Sequence, residues 1–282
     1  MQEKRPRTAR PAVPNKGIET KIRRQLLHMV DEMQRSVLWW VGATYKARLP
    51  EIAQDAARPR WKRALLYALD ASPSRDLERA LKKVMRRWEG RFGKMALQLA
   101  QKSVRNTNTS ATRAMQSALK DAGFTVKMRN TRAVNDVLQS LVIEQTNLIK
   151  SIPQVYMGEV QALVMRSVRE GRDMGFLTEQ LETRYGMTRK RAITISRDQT
   201  NTATESISRV RNKALGITHG VWMHRSGSKK PRHSHIEANG KVFDLSIGLM
   251  VDGETIFPGE KVNCHCTYRP VLPTFPGEET QA

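Results

Sequence analysis

The sequence predicts an α+β chain that is mainly helical: helical N-terminal and middle regions are followed by a small C-terminal strand-rich module. Three observations predict this. Apolar residues recur at steps of three and four through most of the stretch from Ile18 to Leu215, the spacing of helices with one buried face. After Gly216 the pattern changes to short apolar segments, GVWMHR, GKVFDL and NCHCTYRP, separated by Gly- and Pro-containing loops, as strands and turns require. Hydrophobic residues are only 39% and aromatics 6% of the 282 residues, so any core is lean. No apolar run reaches the roughly 18 residues of a membrane span.

Four stretches follow in order. Residues 1–17 are basic, broken by Pro6, Pro11 and Pro14, and read as a disordered arm. Residues 18–145 form a basic helical region. Its first helix carries Ile22, Leu26, Met29 or Val30, Met33 and Val37 and ends at Pro50, and a shorter helix spans Trp61–Leu69. The clearest helix opens after SPS at 72–74 and places Leu77, Leu81, Val84, Trp88, Phe92, Met95 and Leu99 on one side. NTNTSAT at 106–112 reads as a loop, GFTVKMRNT at 123–131 as a short strand or extended linker, and a helix from about Arg132 ends before Pro153. Residues 146–271 hold further helices and then the strand module. One of these helices stops near Gly171, a short one over 176–185 ends at Gly186, and one capped by Thr188 runs to Leu215. Residues 272–282 read as a disordered tail.

Charge divides the chain. The net charge is +22, but residues 1–140 carry +18 of it and residues 141–282 only +4. Such an excess attracts polyanions in a salt-dependent way without specifying sequence. On the clearest helix, Arg79, Lys82, Lys83, Arg86 and Arg87 fill the face opposite the apolar one. That stripe suits non-specific phosphate contacts to double-stranded DNA, and equally an ordinary solvated face. The N-terminus has no apolar core of a secretory signal, and two cysteines make no disulfide framework.

The residues from Asn147 onward carry a resemblance. NLIKSIP at 147–153, EGR at 170–172, Tyr185–Gly186, RAITISRDQ at 191–199, Gly216–Ile217, Trp222, Arg232 with His235, Asn239–Gly240, Pro258–Gly259 and Cys264 with Cys266 occur in this order. Together they resemble the phage head morphogenesis family, minor head proteins similar to protein F of phage Mu. The resemblance covers roughly residues 145–271 and places Arg197, Asp198, Arg232, Asn239 and Gly240 in the family motif. Two positions depart from the pattern. The loop before Arg232 reads SGSKKP where the family usually shows an acid, and His265 stands where an Arg is usual.

Both cysteines, Cys264 and Cys266, flank His265 in a histidine-rich region. In a strand the two thiols share one side and His265 faces the other. Two thiols on one side suit zinc, with His235 as third ligand and His233 or His224 as fourth. The alternative is that the thiols pack as small apolar groups while His235 and Asn239 bond the loop backbone. A metal-nuclease reading finds few local carboxylates, Glu237 and Asp244.

The resemblance implies a non-enzymatic minor capsid protein of a tailed phage. It would act in procapsid assembly near the portal, with portal protein and procapsid or scaffold as partners. It would lie inside the virion head, and in the host cytoplasm during assembly. Two other readings are a zinc-containing general nucleic-acid-binding protein and a metal-dependent nuclease.

Overall fold

A computed structural model describes residues 6–46, 73–169, 174–226 and 231–273. The helix expected at Trp61–Leu69, the Gly171 stop, most of the SGSKKP loop and the end of the tail lie outside them. Among the described residues four long helices come first: α1 (Lys16–Lys46), α2 (Pro73–Asp121), α3 (Arg132–Arg169) and α4 (Met174–Ala214). The C-terminal module follows as β1 (His219–Met223), the short helix α5 (His233–Glu237), β2 (Val242–Asp244), β3 (Leu249–Val251), β4 (Glu254–Ile256) and β5 (Thr267–Pro270). The predicted class, mainly helical with a small strand-rich end, is the class observed.

The long helices differ from their predicted lengths for local reasons. α1 starts at Lys16 because the Asn15 side-chain oxygen accepts the N–H groups of Gly17 and Ile18, at 2.9 and 3.3 Å. α2 runs unbroken through the polar stretch read as a loop. There Thr109 and Thr112 donate back to the carbonyls of Arg105 and Asn108, while Val104 and Ala111 pack with Leu141, Ala203 and Ile207. α3 continues through Pro153. Ile149, Ile152, Tyr156, Met157 and Val160 around it are buried, which offsets the roughly 3 kcal/mol cost of an interior proline. α4 likewise passes through Gly186 without a break. On its two sides Tyr185 donates to Asp31 at 2.9 Å, and Arg189 pairs with the same carboxylate.

The described chain forms two compact units. One comprises Met1–Arg23, Leu97–Thr146 and Thr194–Ala282, the other Arg24–Ala96 and Asn147–Ile193. Each long helix contributes to both, so neither unit is a continuous stretch of sequence. In the second unit α2 buries Leu77, Leu81, Val84, Trp88 and Phe92.

The first unit holds the module. Its antiparallel sheet has the order β2-β1-β5, and β3 and β4 make a separate hairpin, an element the sequence reading lacked. The core joins Trp222, Phe243, Leu245, Val251, Ile256 and Tyr268 to Ala118 and Leu119 of α2. The 124–128 segment is neither helix nor strand, and Phe124, Val126 and Met128 pack on this core.

Both chain ends were expected to be loose, and the described parts are not. Ala9 donates to the Pro270 carbonyl at 3.0 Å and Leu272 to that of Arg7 at 2.9 Å, with Thr8 bridging Val271. Ala9, Ala12 and Leu272 are buried. The N-terminal segment thus pairs antiparallel with the chain at the end of β5, satisfying backbone groups that a free edge would expose.

Candidate metal centre and its supporting network

His235, Cys264 and Cys266 converge. All three are buried, and their ligand atoms lie within 4.8 Å of one another. His235 Nδ1 is 3.4 Å from the Cys264 Sγ and 3.7 Å from the Cys266 Sγ, and the latter is 3.7 Å from His224 Nδ1. The thiols are free. This His–Cys–Cys cluster can hold a metal ion.

Local structure explains the convergence. The two cysteines precede β5 rather than lying within it, yet both thiols converge on His235. His235 lies on α5, its ring edge-on to Trp222 at 5.7 Å. His233 is also on α5 but exposed. Two residues on a helix are about 200° apart, so the helix that turns His235 inward turns His233 out, and the expectation of His233 as a ligand fails. His265 is outside the cluster and half-buried, and its Nε2 has no partner. Burial, then the charges of Arg197 and Lys16, lower its pKa.

The sulfurs are electrostatically unequal. The hydrogen bond from Cys266 brings the Cys264 thiol down to about 5 against the effect of burial, with backbone groups of Cys266 and Gly259 assisting. The same hydrogen bond, with burial and the charge on Cys264, pushes Cys266 up. A thiol biased toward its thiolate form is what a soft cation seeks.

α4 supports the cluster through its polar face. The Arg197–Thr202 run, anomalous in a packed helix, holds the turns before β5. Asp198 Oδ2 accepts the backbone N–H of Asn263 at 2.9 Å, and Arg197 donates to the Asn263 side chain. Asn201 donates to the Cys264 carbonyl at 3.2 Å and Thr202 to that of Gly259 at 3.1 Å. Farther along, Thr200, Thr204 and Ser208 each donate to the carbonyl four residues back, at 2.7–2.8 Å. These hydroxyls satisfy themselves, which allows a polar stripe to be buried. Asn212 donates to the Tyr268 hydroxyl at 2.9 Å.

The remaining motif residues brace the other side. Arg232 donates to the Val262 carbonyl at 3.2 Å. Asn239 accepts the His224 backbone N–H at 2.9 Å. Gly240, at φ 84°, donates to the Trp222 carbonyl at 2.8 Å; the left-handed turn there favours glycine.

Glu205, which sequence reasoning missed, is buried beside Thr267 and lines a cavity of about 310 Å³ with Arg209, Phe257 and Tyr268. Burial raises its pKa to about 8. A lone Glu between Thr204 and Ser206 carries no local sign of burial. Gly259 packs against it so closely that an added Cβ would lie 2.8 Å from the Glu205 Cγ.

The predicted DNA-contact residues lie apart from this centre in sequence and in the other unit. Arg79, Lys82, Lys83, Arg86 and Arg87 are exposed along α2, with Lys82 pairing Glu78 at 2.6 Å.

The family model for phage Mu protein F like protein matches residues 158–269. That segment is similar to the phage Mu protein F-like family. It contains the whole cluster, the polar face of α4, and Arg197, Asp198, Arg232, Asn239 and Gly240, while NLIKSIP at 147–153 precedes it, and the family is one of phage head morphogenesis. A protein of Haemophilus influenzae (strain Rd), described only as uncharacterized, is 30% identical over 145 residues, which make up 51% of this chain and 32% of that protein. The chain therefore spans about a third of the length of this curated relative. No solved structure matches. Among the described residues no helix is long and apolar enough to cross a membrane.

Proposed function

We propose that the protein is a minor head protein of a tailed phage, acting in procapsid assembly near the portal and touching packaged DNA without sequence preference. The observation that carries this is the match of residues 158–269 to the Mu protein F-like family. The charge distribution supports it: the basic excess lies mainly in residues 1–140, and the α2 stripe is exposed. Portal protein and procapsid or scaffold are the proposed partners, and the head interior the proposed location.

Affinity purification of the tagged chain from infected cells tests this. Portal protein and procapsid should co-purify after nuclease treatment. Recovery of DNA alone, with no portal, overturns the proposal and favours the second reading, a general nucleic-acid-binding protein with a zinc module. The His–Cys–Cys cluster and the basic stripe are what favour that second reading. A nuclease reading has little local support, because Asp244 is engaged in a turn, accepting the N–H groups of Ser246 and Ile247 at 2.5 and 3.2 Å.

A further inference from the structure

We propose that His224, His235, Cys264 and Cys266 form one closed tetrahedral zinc site that staples the C-terminal module, with His224 rather than His233 as the fourth ligand. This goes beyond the head-morphogenesis reading and does not depend on it.

The first argument is valence. Both sulfurs face the same nitrogen, His235 Nδ1. A ring nitrogen offers one lone pair or one proton, so it cannot serve two thiols well at once. A cation between them serves all three. Zinc bonds of ~2.3 Å to sulfur and ~2.0–2.1 Å to nitrogen place tetrahedral N and S ligand atoms about 3.6 Å apart. The separations found are 3.4, 3.7 and 3.7 Å.

The second argument is register. The last β1–β5 pair is Met223 opposite Thr267, so one antiparallel step further sets His224 opposite Cys266. His224 Nδ1 reaches that sulfur but lies outside the tight triad. Its ring is half-buried at the end of a strand, where it can swing toward the other three atoms. The Asn239 side chain already fixes its backbone.

The third argument is charge and topology. Two thiolates and two neutral imidazoles around a divalent cation sum to zero, as a buried site demands. Four protein ligands leave no open position, which marks a structural site rather than a hydrolytic one. The ligands come from the coil after β1, from α5 and from the turn before β5, short segments that a metal would cross-link.

The test uses the full chain. Purified protein should hold one zinc per chain, and cobalt(II) replacing it should show thiolate-to-cobalt charge transfer and the intense visible bands of a tetrahedral ion. His224→Ala should weaken zinc affinity by more than the roughly 10–100-fold typical of losing an outer-shell partner, and should dim the visible bands. His233→Ala should match the wild type. Absence of the charge-transfer band in folded full-length protein overturns the site. Unchanged affinity in His224→Ala, or a loss in His233→Ala, overturns the ligand set. Cys264→Ser and Cys266→Ser can fail to fold, so the decision rests on the histidine variants and the cobalt spectrum. Failure here with portal co-purification intact leaves the functional reading standing.

Discussion

Replacing Glu205 by Gln should make the protein less sensitive to alkaline pH. The carboxyl is buried, and its pKa rises from 4.5 to about 8, chiefly by loss of solvent. Thr267 and the charges of Arg225 and Arg209 pull the value down, and the charge on Cys264 pushes it up. Between those two pH values the folded state keeps a proton that the unfolded state releases. Stability from this group is therefore complete below about pH 4.5 and is lost as pH rises through about 8. At about 1.4 kcal/mol per pH unit, a shift from 4.5 to about 8 is worth at most about 5 kcal/mol, a large part of a typical domain's stability. Gln keeps the shape, which matters because Gly259 approaches the Glu205 Cγ so closely, and it cannot ionise. Urea unfolding of both proteins at pH 5, 7 and 9, in the same metal-free buffer, isolates Glu205 together with its coupling to Cys264, because titrating groups that do not interact with it cancel in the difference. The variant should equal the wild type at the acid end and gain on it steadily above. A difference that stays flat would refute the reasoning and mean that water in the adjacent cavity hydrates the carboxylate.

Three other outcomes follow from the same geometry. Asp198→Ala removes the acceptor of the Asn263 N–H and should cost about 1.5–3 kcal/mol in urea titrations, with the secondary structure retained by circular dichroism. Gly259→Ala combines φ 77° with the clash against Glu205 and should cost about 1–3 kcal/mol. Changing Arg79, Lys82, Lys83, Arg86 and Arg87 to Gln should flatten the salt dependence of DNA affinity by about 0.9 per lost phosphate contact in the log–log slope. An unchanged slope in fluorescence anisotropy would place the DNA face elsewhere.

The fold class was legible because its signals are local. Apolar spacing of three and four identifies helices whatever they pack against, and the change after Gly216 marks the module. Element ends were less legible, because a packed neighbour overrules the local breaker. Pro153 and Gly186 are ordinary stop signals, but buried apolar residues flank the first, and Asp31 holds Tyr185 and Arg189 around the second. Polar runs misled most. NTNTSAT is helical because its hydroxyls bond backward and Asn108 accepts from Arg211 at 2.8 Å, a partner about a hundred residues away that no local pattern reveals. At the site, Cys264, Cys266 and His235 were legible as residue types at suggestive spacing. The choice between His233 and His224 was not, because it depends on the phase of a five-residue helix and on strand register.

The family motif residues mostly hold backbone, and Asn263 shows how to separate the two parts of that work. It adopts φ 60°, a left-handed conformation that Asn tolerates and most residues do not. Its side chain also takes a hydrogen bond from Arg197. Asn263→Gly keeps the backbone freedom and loses only the side-chain partner, which is exposed and so contributes on the order of 1 kcal/mol or less. Asn263→Ala loses the partner and adds about 1–2 kcal/mol of left-handed strain. Neither change touches the N–H that Asp198 accepts. If the turn is what places Cys264 against His235, Ala should lower both stability and zinc affinity below those of Gly. Equal behaviour of the two variants would show that the turn is not under conformational constraint, and that Asn263 acts through its contact with Arg197 alone.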